Sequence, residues 1–460
     1  MNQGTPTVNQ KHSVKVNNGS GVLIQPMSTT YAYVLTAKHC LKVDKDDLTS
    51  NFISKHELFS FDGKEIPVLD VICHDTRDIA ILIVGQKSEC ELMINSDSLV
   101  VNDQVFLCGY PDDRRGTSQE YSAFIYNFTY MSGEFAVLSP EAAGVGYSNV
   151  SGFSGGGIFT LDREDKPVLL CGIETKMDGD PDRECHGNIS AIPISEFEKL
   201  IADPKNLYLE QPLAPLLPLH LSSFEHLRDF SFDVIQGWIE DDKLNFLKDR
   251  LRDISTNEIQ VNLSPSEVFK EFKECLRVYN RPSNELRSRE LWVALMELLT
   301  ISILIDKPKI VDAAYVDNIM HSRRLIYIGV KETWQQHVSD IFKGKLNRFN
   351  ENGIIVVKTL CSPQRNVSFS KVGIKKLVKN IARPPSDRRA ITNINSNLSK
   401  IHSIVDITAL HAECIESKED VFENHTDLFD FDDKKEAELR MLLAKEYGAY
   451  LTVKDIVDVT

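Results

Sequence analysis

The chain has 460 residues and a formal net charge of −15. A chain of this length can form two or three domains, and its acidic balance does not fit a general nucleic-acid binder. The longest apolar run, at 291–305, is interrupted by Glu297 and is shorter than the roughly 20 residues that a membrane span needs. We therefore expect no membrane partner, and the composition disfavours a nucleic-acid partner.

The nine cysteines are irregularly spaced, and no two of them form a Cys-x-x-Cys pair. This spacing does not support a zinc site, and the odd number does not fit a complete set of disulfides. The first residues show no basic segment followed by an apolar stretch, so we expect no secretory signal. These features predict reduced cysteines, a cytoplasmic location, and neither metal nor cofactor.

Up to about residue 195, short strand patterns alternate with turns rich in Gly, Asn, Asp and Pro, which predicts an all-β domain. Residues 31–36 and 79–84 are the clearest strands, and 195–201 is predicted to be a short helix that ends the domain.

Prolines then recur between 203 and 218 and prevent both a regular helix and a central strand. We expect a first domain at 1–202, an extended Pro-rich linker at 203–219, and a second domain at 220–460.

In the second domain, apolar residues recur at helical spacing. Predicted helices cover 224–251, 266–279 (with Ser264 as its N-cap), 285–305 and 334–349, and one strand covers 354–359. The sequence shows no internal repeat and no nucleotide-binding glycine loop. We therefore predict a multidomain protein with an all-β first domain and an α-rich α+β second domain.

Three distant segments carry a histidine, an aspartate and a serine. His39 follows the strand at 31–36, Asp78 precedes the strand at 79–84, and Ser154 has glycines close on both sides. A serine hydroxyl becomes a good nucleophile when an imidazole accepts its proton and a carboxylate orients that imidazole. The three segments together predict such a nucleophile.

The glycines around Ser154 add a second requirement of this chemistry. Glycine allows positive φ and close approach of a substrate, so the N–H groups of Gly152 and Ser154 are candidates for an oxyanion hole. Each segment also has a simpler interpretation: a flexible Gly/Ser loop, a structural or exposed histidine, and for Asp78 a turn residue or an ion pair with Arg77.

The three segments resemble the chymotrypsin/trypsin-type serine proteases, and the opening strand is similar to that of bacterial HtrA-type members. The family motifs are a histidine after Thr-Ala-Ala, an aspartate before Ile-Ala-Leu, and Gly-x-Ser-Gly-Gly. The resemblance covers roughly residues 10–202. It implies two six-stranded antiparallel β-barrels with the site in the cleft between them. It also implies that His39 is the general base, Asp78 its orienter and Ser154 the nucleophile.

The chain departs from the family pattern at three positions. Phe153 stands where secreted members carry an aspartate that pairs with a newly cut N-terminus, so we do not expect activation by N-terminal cleavage. Lys38 replaces an alanine, which we interpret as a surface change. Ser148 lies where trypsin-like members carry a pocket aspartate, so a preference for basic residues is not implied.

The resemblance also implies a substrate-binding strand that contains Gly172, Glu174 and Thr175, together with Ser148. For Glu174 a solvated loop charge is an equal alternative. Cys40 is next to His39, but adjacent side chains usually point in different directions, so we do not predict a cysteine nucleophile.

Two charged segments remain. Residues 371–389 are basic but carry no aromatic stacking residues, so a solvated helix face is favoured over a nucleic-acid site. Residues 413–438 are acidic and fit either a docking segment or a loop.

The downstream half is similar to the C-terminal domains of bacterial ABC-three-component defence proteins, in which a Glu-Leu-Trp segment (here Glu290-Leu291-Trp292) opens a long apolar helix. This similarity implies partner proteins, including an ATPase, and a role in anti-phage immunity.

These patterns predict an intracellular serine endopeptidase that cleaves a protein or peptide substrate. Because Phe153 excludes N-terminal activation, we expect the second domain or a partner to gate activity by ordering the loop around Gly152. Two other functions stay open. One is a catalytically inactive protease fold that binds a peptide by strand addition, and the other is a regulator that binds nucleic acid through 371–389.

Overall fold

A computed structural model describes most of the chain. The described residues are 7–85, 92–142, 145–161, 167–177, 187–278, 281–343, 346, 348–361, 368–370, 400–424 and 433–452. The chain forms two compact units, Met1–Leu219 and His220–Thr460. The basic segment 371–389 lies outside the described residues. The described ends of the acidic segment, 413–424 and 433–438, are mainly helical.

The first unit begins with helix α1 (Val8–His12) and an antiparallel sheet in the order β4-β1-β2-β3-β6-β5. Its strands are β1 (Ser13–Val16), β2 (Gly19–Ile24), β3 (Ala32–Thr36), β4 (Leu58–Phe59), β5 (Val68–Cys73) and β6 (Ala80–Val84). β3 and β6 are buried along their whole length, as their aliphatic and aromatic sequences require.

The second sheet closes on itself, because β11 pairs with both β8 and β12. Its strands are β7 (Met93–Ile94), β8 (Gln104–Gly109), β9 (Ser122–Ser132), β10 (Phe135–Pro140), β11 (Gly157–Thr160), β12 (Leu169–Met177) and β13 (Ile189–Pro193). Helix α2 (Tyr147–Val150) precedes β11, and α3 (Ile194–Ala202) follows β13. The β-rich, barrel-like first region confirms the predicted fold class. The second sheet differs from the expected six-stranded antiparallel barrel in one respect: β7 adds a seventh strand, which runs parallel to β12.

The register between β3 and β6 explains where the candidate site forms. These antiparallel strands pair with Thr36 opposite Ala80. The residues after Thr36 and those before Ala80 therefore emerge at the same edge of the sheet. This edge brings His39 and Asp78 together, although they lie far apart in sequence.

The segment at 203–219, expected to be an extended linker, packs against the first unit. It contains a two-stranded hairpin, β14 (Leu207–Tyr208) and β15 (Gln211–Pro212). Leu213 and Leu216 are buried in the apolar core that also contains Tyr33. The Tyr33 hydroxyl donates to the Ala214 carbonyl oxygen at 2.9 Å. The prolines thus exclude regular structure, but they do not keep the segment free of the domain.

The second unit combines helices with a small sheet in the order β16-β17-β19-β18, in which β16, β17 and β19 run parallel. The strands are β16 (Arg323–Ile328), β17 (Gly353–Thr359), β18 (Ser368–Ser370) and β19 (Ile401–Asp406). The helices are α4 (Asp241–Ile254), α5 (Pro265–Leu276), α6 (Arg289–Asp306), α7 (Ala313–Ser322), α8 (Val338–Lys343), α9 (Ile407–Cys414), α10 (Glu419–Glu423) and α11 (Asp433–Leu451). The helix-rich second region agrees with the predicted fold class.

The second unit differs from the sequence prediction in several details. The helix expected at 285–305 is a 3-10 turn at Ser283–Arg287 followed by α6, and the helix expected at 334–349 is a 3-10 turn at Trp334–His337 followed by α8, which ends at Lys343. The helix expected at 224–251 is divided into a 3-10 turn at Phe224–Phe230 and the later α4, and the single expected strand belongs to a four-stranded sheet. Helix α5 begins as predicted, with Ser264 as its N-cap in a capping box.

The core of the second unit is helix α6, which is buried on nearly all sides. Glu297 of this helix is buried beside His411, whose Nε2 lies 3.3 Å from the Glu297 carboxylate. The same carboxylate accepts a hydrogen bond from the N–H of Phe232 at 2.6 Å. In the described part of the chain, no helix has both the length and the apolar character needed to cross a bilayer.

The packing of 203–219 gives a stability prediction. Leu216 is 5% exposed and Leu209, in the hairpin turn, is 77% exposed. Leu216→Ala leaves a cavity and should lower the free energy of unfolding of the first unit by about 3 kcal/mol. Leu209→Ala, the matched control, should change it by less than about 0.5 kcal/mol.

Hydrogen exchange of amides in β3 and β6 measures this stability in the intact chain. Tryptophan fluorescence does not report unfolding of the first unit, because all three tryptophans belong to the second unit (Trp238, Trp292, Trp334). Equal exchange in the two variants would mean that 203–219 is a free linker after all.

Candidate active site

The imidazole of His39 is held by Asp78. His39 lies in a 3-10 turn at Lys38–Leu41, directly after β3. The Nδ1 of His39 is 2.7 Å from Oδ2 of Asp78, and the backbone N–H of His39 donates to Oδ1 at 2.9 Å. The carboxylate thus binds both the ring and the backbone of one residue, which fixes the ring orientation and leaves Nε2 on the other side.

Burial and hydrogen bonding act in opposite directions on this imidazole. Burial alone would lower the pKa of His39, but the hydrogen bonds and charges of Asp78 and Cys40 together outweigh it, and the pKa is raised above the usual 6.5. A carboxylate in this position stabilises the imidazolium that forms when the ring accepts a proton.

Two expectations for residues beside this pair need correction. Lys38 is not a surface residue: it is buried, and its Nζ donates to the carbonyl oxygens of His74 (2.9 Å) and Asp75 (3.1 Å). It therefore ties the His39 turn to the loop that carries Asp78. Arg77 does not pair with Asp78 but binds Glu134 and Glu196.

The loop of Ser154 is anchored through its backbone. The N–H of Ser20, in β2, donates to the Ser154 carbonyl oxygen at 2.7 Å. Gly155 donates to the Glu174 carbonyl oxygen, and Glu174 donates to that of Gly156, both at 2.8 Å. Gly155 has φ +86°, and a Cβ there would lie 2.0 Å from the Ser20 carbonyl oxygen, so only glycine fits.

Cys40 is a part of the site that the sequence analysis missed. Its Sγ lies 3.7 Å from Nε2 of His39 and 3.2 Å from the carbonyl oxygen of Ser154. The expectation that adjacent side chains diverge is therefore wrong here, because the tight 3-10 turn folds the thiol back toward the ring. One buried sulfur contacts both the histidine and the serine segments, so the two segments meet.

The Ser154 hydroxyl lies at a partly exposed position. Among the described residues it makes no hydrogen bond, and the same holds for the N–H groups of Gly152 and Ser154. These three groups are left available to a bound molecule.

The carbonyl groups of the two donor peptides are both occupied. The Ser151 carbonyl oxygen accepts the N–H of Asp112 at 2.8 Å, and that of Phe153 accepts the N–H of Gly156 at 2.5 Å. In a trans peptide the C=O and N–H point in opposite directions. The N–H groups of Gly152 and Ser154 are therefore turned away from these partners, as an oxyanion hole requires.

Phe153 stabilises the loop by burial. Its side chain is fully buried, and its ring centroid lies 5.7 Å from that of Phe124, in the core of the second sheet. The position that carries an ion-paired aspartate in secreted proteases is thus held by apolar packing.

The predicted substrate-binding residues lie around this loop. Ser148 belongs to α2, just before the serine loop, and Gly172 and Thr175 belong to β12. Gly172 packs so closely that a Cβ would be 2.6 Å from the Ile192 carbonyl oxygen. The Thr175 hydroxyl donates to the Ser190 carbonyl oxygen at 3.3 Å.

Glu174 is the unusual member of this set. It is 1% exposed, and its Oε2 has no hydrogen-bond partner in the described part of the chain. Burial raises the pKa of Glu174 to about 8, and nearby His39 and Asp78 modify it in opposite directions. The carboxyl group is therefore largely protonated at neutral pH, so the alternative of a solvated loop charge is wrong.

Within the described residues, no group of His, Cys, Asp and Glu side chains is arranged to hold a metal ion. The seven described cysteines are free thiols: Cys40, Cys73, Cys108, Cys171, Cys275, Cys361 and Cys414.

Two protein families match parts of this chain. Residues 19–168 match the trypsin-like peptidase domain, and residues 191–416 match C-terminal domain 4 of the ABC-three component (ABC-3C) systems. No curated protein matches the chain.

Solved structures also match part of this chain. One is kallikrein-related peptidase 10 in a complex with Zn2+, which is 14% identical in sequence. The match covers 43% of this chain and 97% of the kallikrein chain, with a TM-score of 0.32. The Rv3671c protease in an inactive form is 15% identical, covers 42% and 89%, and has a TM-score of 0.31. A second inactive form of Rv3671c, from M. tuberculosis H37Rv, is 15% identical, covers 42% and 86%, and has a TM-score of 0.30.

The raised pKa of Glu174 gives a pH prediction. Between its usual value of 4.5 and about 8, the folded state keeps a proton that the unfolded state loses. Stability from this group therefore falls as pH rises, by at most about 1.4 kcal/mol per pH unit. Glu174→Gln mimics the neutral acid at every pH. The free energy of unfolding of this variant, relative to that of wild type, should therefore increase from about pH 5 to about pH 8.

Urea unfolding at these two pH values measures the difference, and Glu57→Gln at an exposed position is the control. A constant difference between Glu174→Gln and wild type at both pH values would show that Glu174 is ionised in the folded protein.

Proposed function

Because the chain carries a trypsin-like peptidase domain followed by a C-terminal domain of the ABC-three-component type, we propose that it is a serine endopeptidase of a bacterial defence system. His39, Asp78 and Ser154 form the proposed triad. One observation carries the proposal: the Asp78–His39 pair stands beside an anchored Ser154, and the N–H groups of Gly152 and Ser154 make no hydrogen bond to any described residue.

The first step is acylation of Ser154. His39 Nε2 takes the hydroxyl proton while Oγ forms a bond to the carbonyl carbon of the substrate peptide. The Ser154 hydroxyl makes no hydrogen bond among the described residues, so it is available to Nε2, where it would replace the contact that Cys40 Sγ makes at 3.7 Å. Such catalytic hydrogen bonds often tighten only when substrate is bound.

The tetrahedral intermediate carries its negative charge on the former carbonyl oxygen. The N–H groups of Gly152 and Ser154 would bind this oxygen. His39 then gives its proton to the leaving amine, the C–N bond breaks, and an acyl-Ser154 remains. Water, deprotonated by His39, hydrolyses this ester and restores the serine hydroxyl.

Ser148, Gly172, Glu174 and Thr175 are the proposed substrate-binding residues. Glu174 is supported by its position: its backbone holds the serine loop, and its neutral carboxyl group lies within electrostatic reach of His39. Because it is protonated at neutral pH, it adds no second negative charge beside Asp78.

We assign the peptidase function to residues 1–202, with 203–219 as the connecting segment, and a sensor, adaptor or oligomerisation role to 220–460. The ABC-3C domain supports partner components in a multi-component system, and an ATPase is the partner that we propose. Free cysteines throughout the described part support a cytoplasmic setting.

Labelling with a fluorophosphonate tests the nucleophile. Wild type should be labelled at Ser154, whereas Ser154→Ala and His39→Ala should lose at least about a thousandfold in labelling rate. Asp78→Asn should lose about 10⁴-fold, because His39 then takes the wrong tautomer.

Ser132→Ala, an exposed serine at the end of β9, should label like wild type. Absence of labelling in the wild type, both alone and with its partners, would favour the catalytically inactive peptide-binding fold. Comparison of new protein N-termini in cells that express wild type or Ser154→Ala would identify the substrate.

Gating by a partner is a separate prediction. The donor peptides of the serine loop are already held in one orientation, so we expect the gate to act on access of a protein substrate. The isolated chain should react with the small probe at the same rate with and without partner components, but it should cleave protein only with them. Protein cleavage by the isolated chain would contradict gating. Faster labelling in the presence of partners would mean that the partner acts on the serine loop and not on substrate access.

A further inference from the structure

We propose that Asp112 is a positioning residue, which holds the peptide unit between Ser151 and Gly152 with its N–H turned toward the substrate oxyanion. This inference rests on the proposed peptidase function. It adds to that site a residue that belongs neither to the proposed triad nor to the oxyanion donors.

Asp112 lies directly against the serine loop. It begins a 3-10 turn, Asp112–Arg114, after β8 and Pro111. Gly152 has φ +90°, and a Cβ there would lie 2.6 Å from the backbone N and 2.8 Å from Oδ1 of Asp112. Any side chain at 152 would therefore push the two segments apart.

The first contact is made by the backbone. The N–H of Asp112 donates to the Ser151 carbonyl oxygen at 2.8 Å. Since the peptide is planar and trans, the direction of this carbonyl also fixes the direction of the Gly152 N–H. The hydrogen bond thus sets one of the two oxyanion donors without touching the substrate.

The second contact is made by the carboxylate. The Ser151 hydroxyl donates to Oδ2 of Asp112 at 2.7 Å, so the side chain and the carbonyl of Ser151 are held by the same residue. The other oxygen, Oδ1, forms an ion pair with Arg115 at 3.0 Å. The Arg115 guanidinium also donates to the carbonyl oxygens of Asn17 (3.3 Å) and Gly19 (3.4 Å). These contacts anchor Asp112 to the turn between β1 and β2.

The loop needs this external support. Gly152 rotates freely compared with other residues, so the peptide before it can turn over. Phe153 is anchored by burial and the Gly152 carbonyl by the Ser20 hydroxyl, but both contacts lie after this peptide. If the Ser151 carbonyl turned inward, an acceptor would replace a donor and would repel the oxyanion.

The two contacts can be removed separately. Asp112→Ala keeps the backbone N–H and removes the carboxylate. Asp112→Pro removes both: position 112 is the first of a helical turn and Pro111 is already extended (ψ 151°), so the backbone of the turn accepts proline, while the ring carbon that replaces the N–H hydrogen pushes the Ser151 carbonyl away. Asp112→Asn keeps an acceptor for the Ser151 hydroxyl and loses the ion pair. Asp113→Ala, an exposed neighbour in the same turn, is the matched control.

The probe is p-nitrophenyl acetate, with the full-length chain in pre-steady-state measurements that separate the acylation rate constant from the apparent dissociation constant. Asp112→Pro should lower the acylation rate constant by about 10²-fold, the usual effect of losing one oxyanion donor, and should leave the dissociation constant nearly unchanged. The acylation rate constant should fall less in Asp112→Ala than in Asp112→Pro, and less again in Asp112→Asn. In Asp113→Ala it should equal that of wild type.

The corresponding thionoester gives a readout that a purely structural role would not move. A sulfur anion fits the oxyanion donors poorly, so the ester-to-thionoester rate ratio should fall in Asp112→Pro. An unchanged ratio, or a loss confined to the dissociation constant, would overturn the role of Asp112. If Asp112→Pro does not fold, the same ratio in Asp112→Ala decides. If wild type is not acylated at Ser154 at all, the proposed function fails and this inference fails with it.

Discussion

The candidate site depends on one buried residue, Ser20. Its backbone N–H donates to the Ser154 carbonyl oxygen at 2.7 Å, and its hydroxyl donates to that of Gly152 at 3.0 Å. Its own carbonyl oxygen accepts the Thr36 hydroxyl at 2.7 Å, at the end of the strand that leads to His39. A single residue of the first sheet is therefore bonded to the serine loop and to the histidine strand. Because Ser20, Thr36 and Gly152 are buried, their polar groups would be costly to leave unpaired, which makes the geometry well defined.

The serine loop is held in place without a new N-terminus. In the secreted proteases that the first-domain motifs resemble, an aspartate before the serine pairs with the cut chain end, whereas here Phe153 is packed into the core of the second sheet. Apolar burial does not depend on cleavage, so nothing in this arrangement waits for processing. The peptide between Ser151 and Gly152 has a separate contact, because the N–H of Asp112 in the neighbouring turn donates to the Ser151 carbonyl oxygen. For this reason the partner control that we propose acts on access of the substrate rather than on the loop.

Buried acids occur in both units, and their surroundings give them opposite protonation. Glu174 has no partner for Oε2 in the described part of the chain, so burial raises its pKa and keeps it neutral. Burial alone would also raise the pKa of Glu297, but His411, the charge of Lys358 and the N–H of Phe232 together outweigh it and lower the pKa, so this carboxylate is ionised. The difference follows from partners rather than from depth, since both side chains are almost completely enclosed.

The sequence by itself determined the order of the units, their fold class and the three segments that carry His39, Asp78 and Ser154. Local pattern was enough, because strand periodicity, glycine clusters and helical spacing are properties of neighbouring residues. The tertiary structure decided the remainder: the buried position of Lys38, the thiol of Cys40 beside the imidazole, and the contact of Asp112 with Ser151. It also decided that 203–219 packs on the first unit. These features arise from contacts between residues far apart in the chain or from the turn geometry of a single residue. Periodic sequence patterns predict neither long-range contacts nor the geometry of one turn.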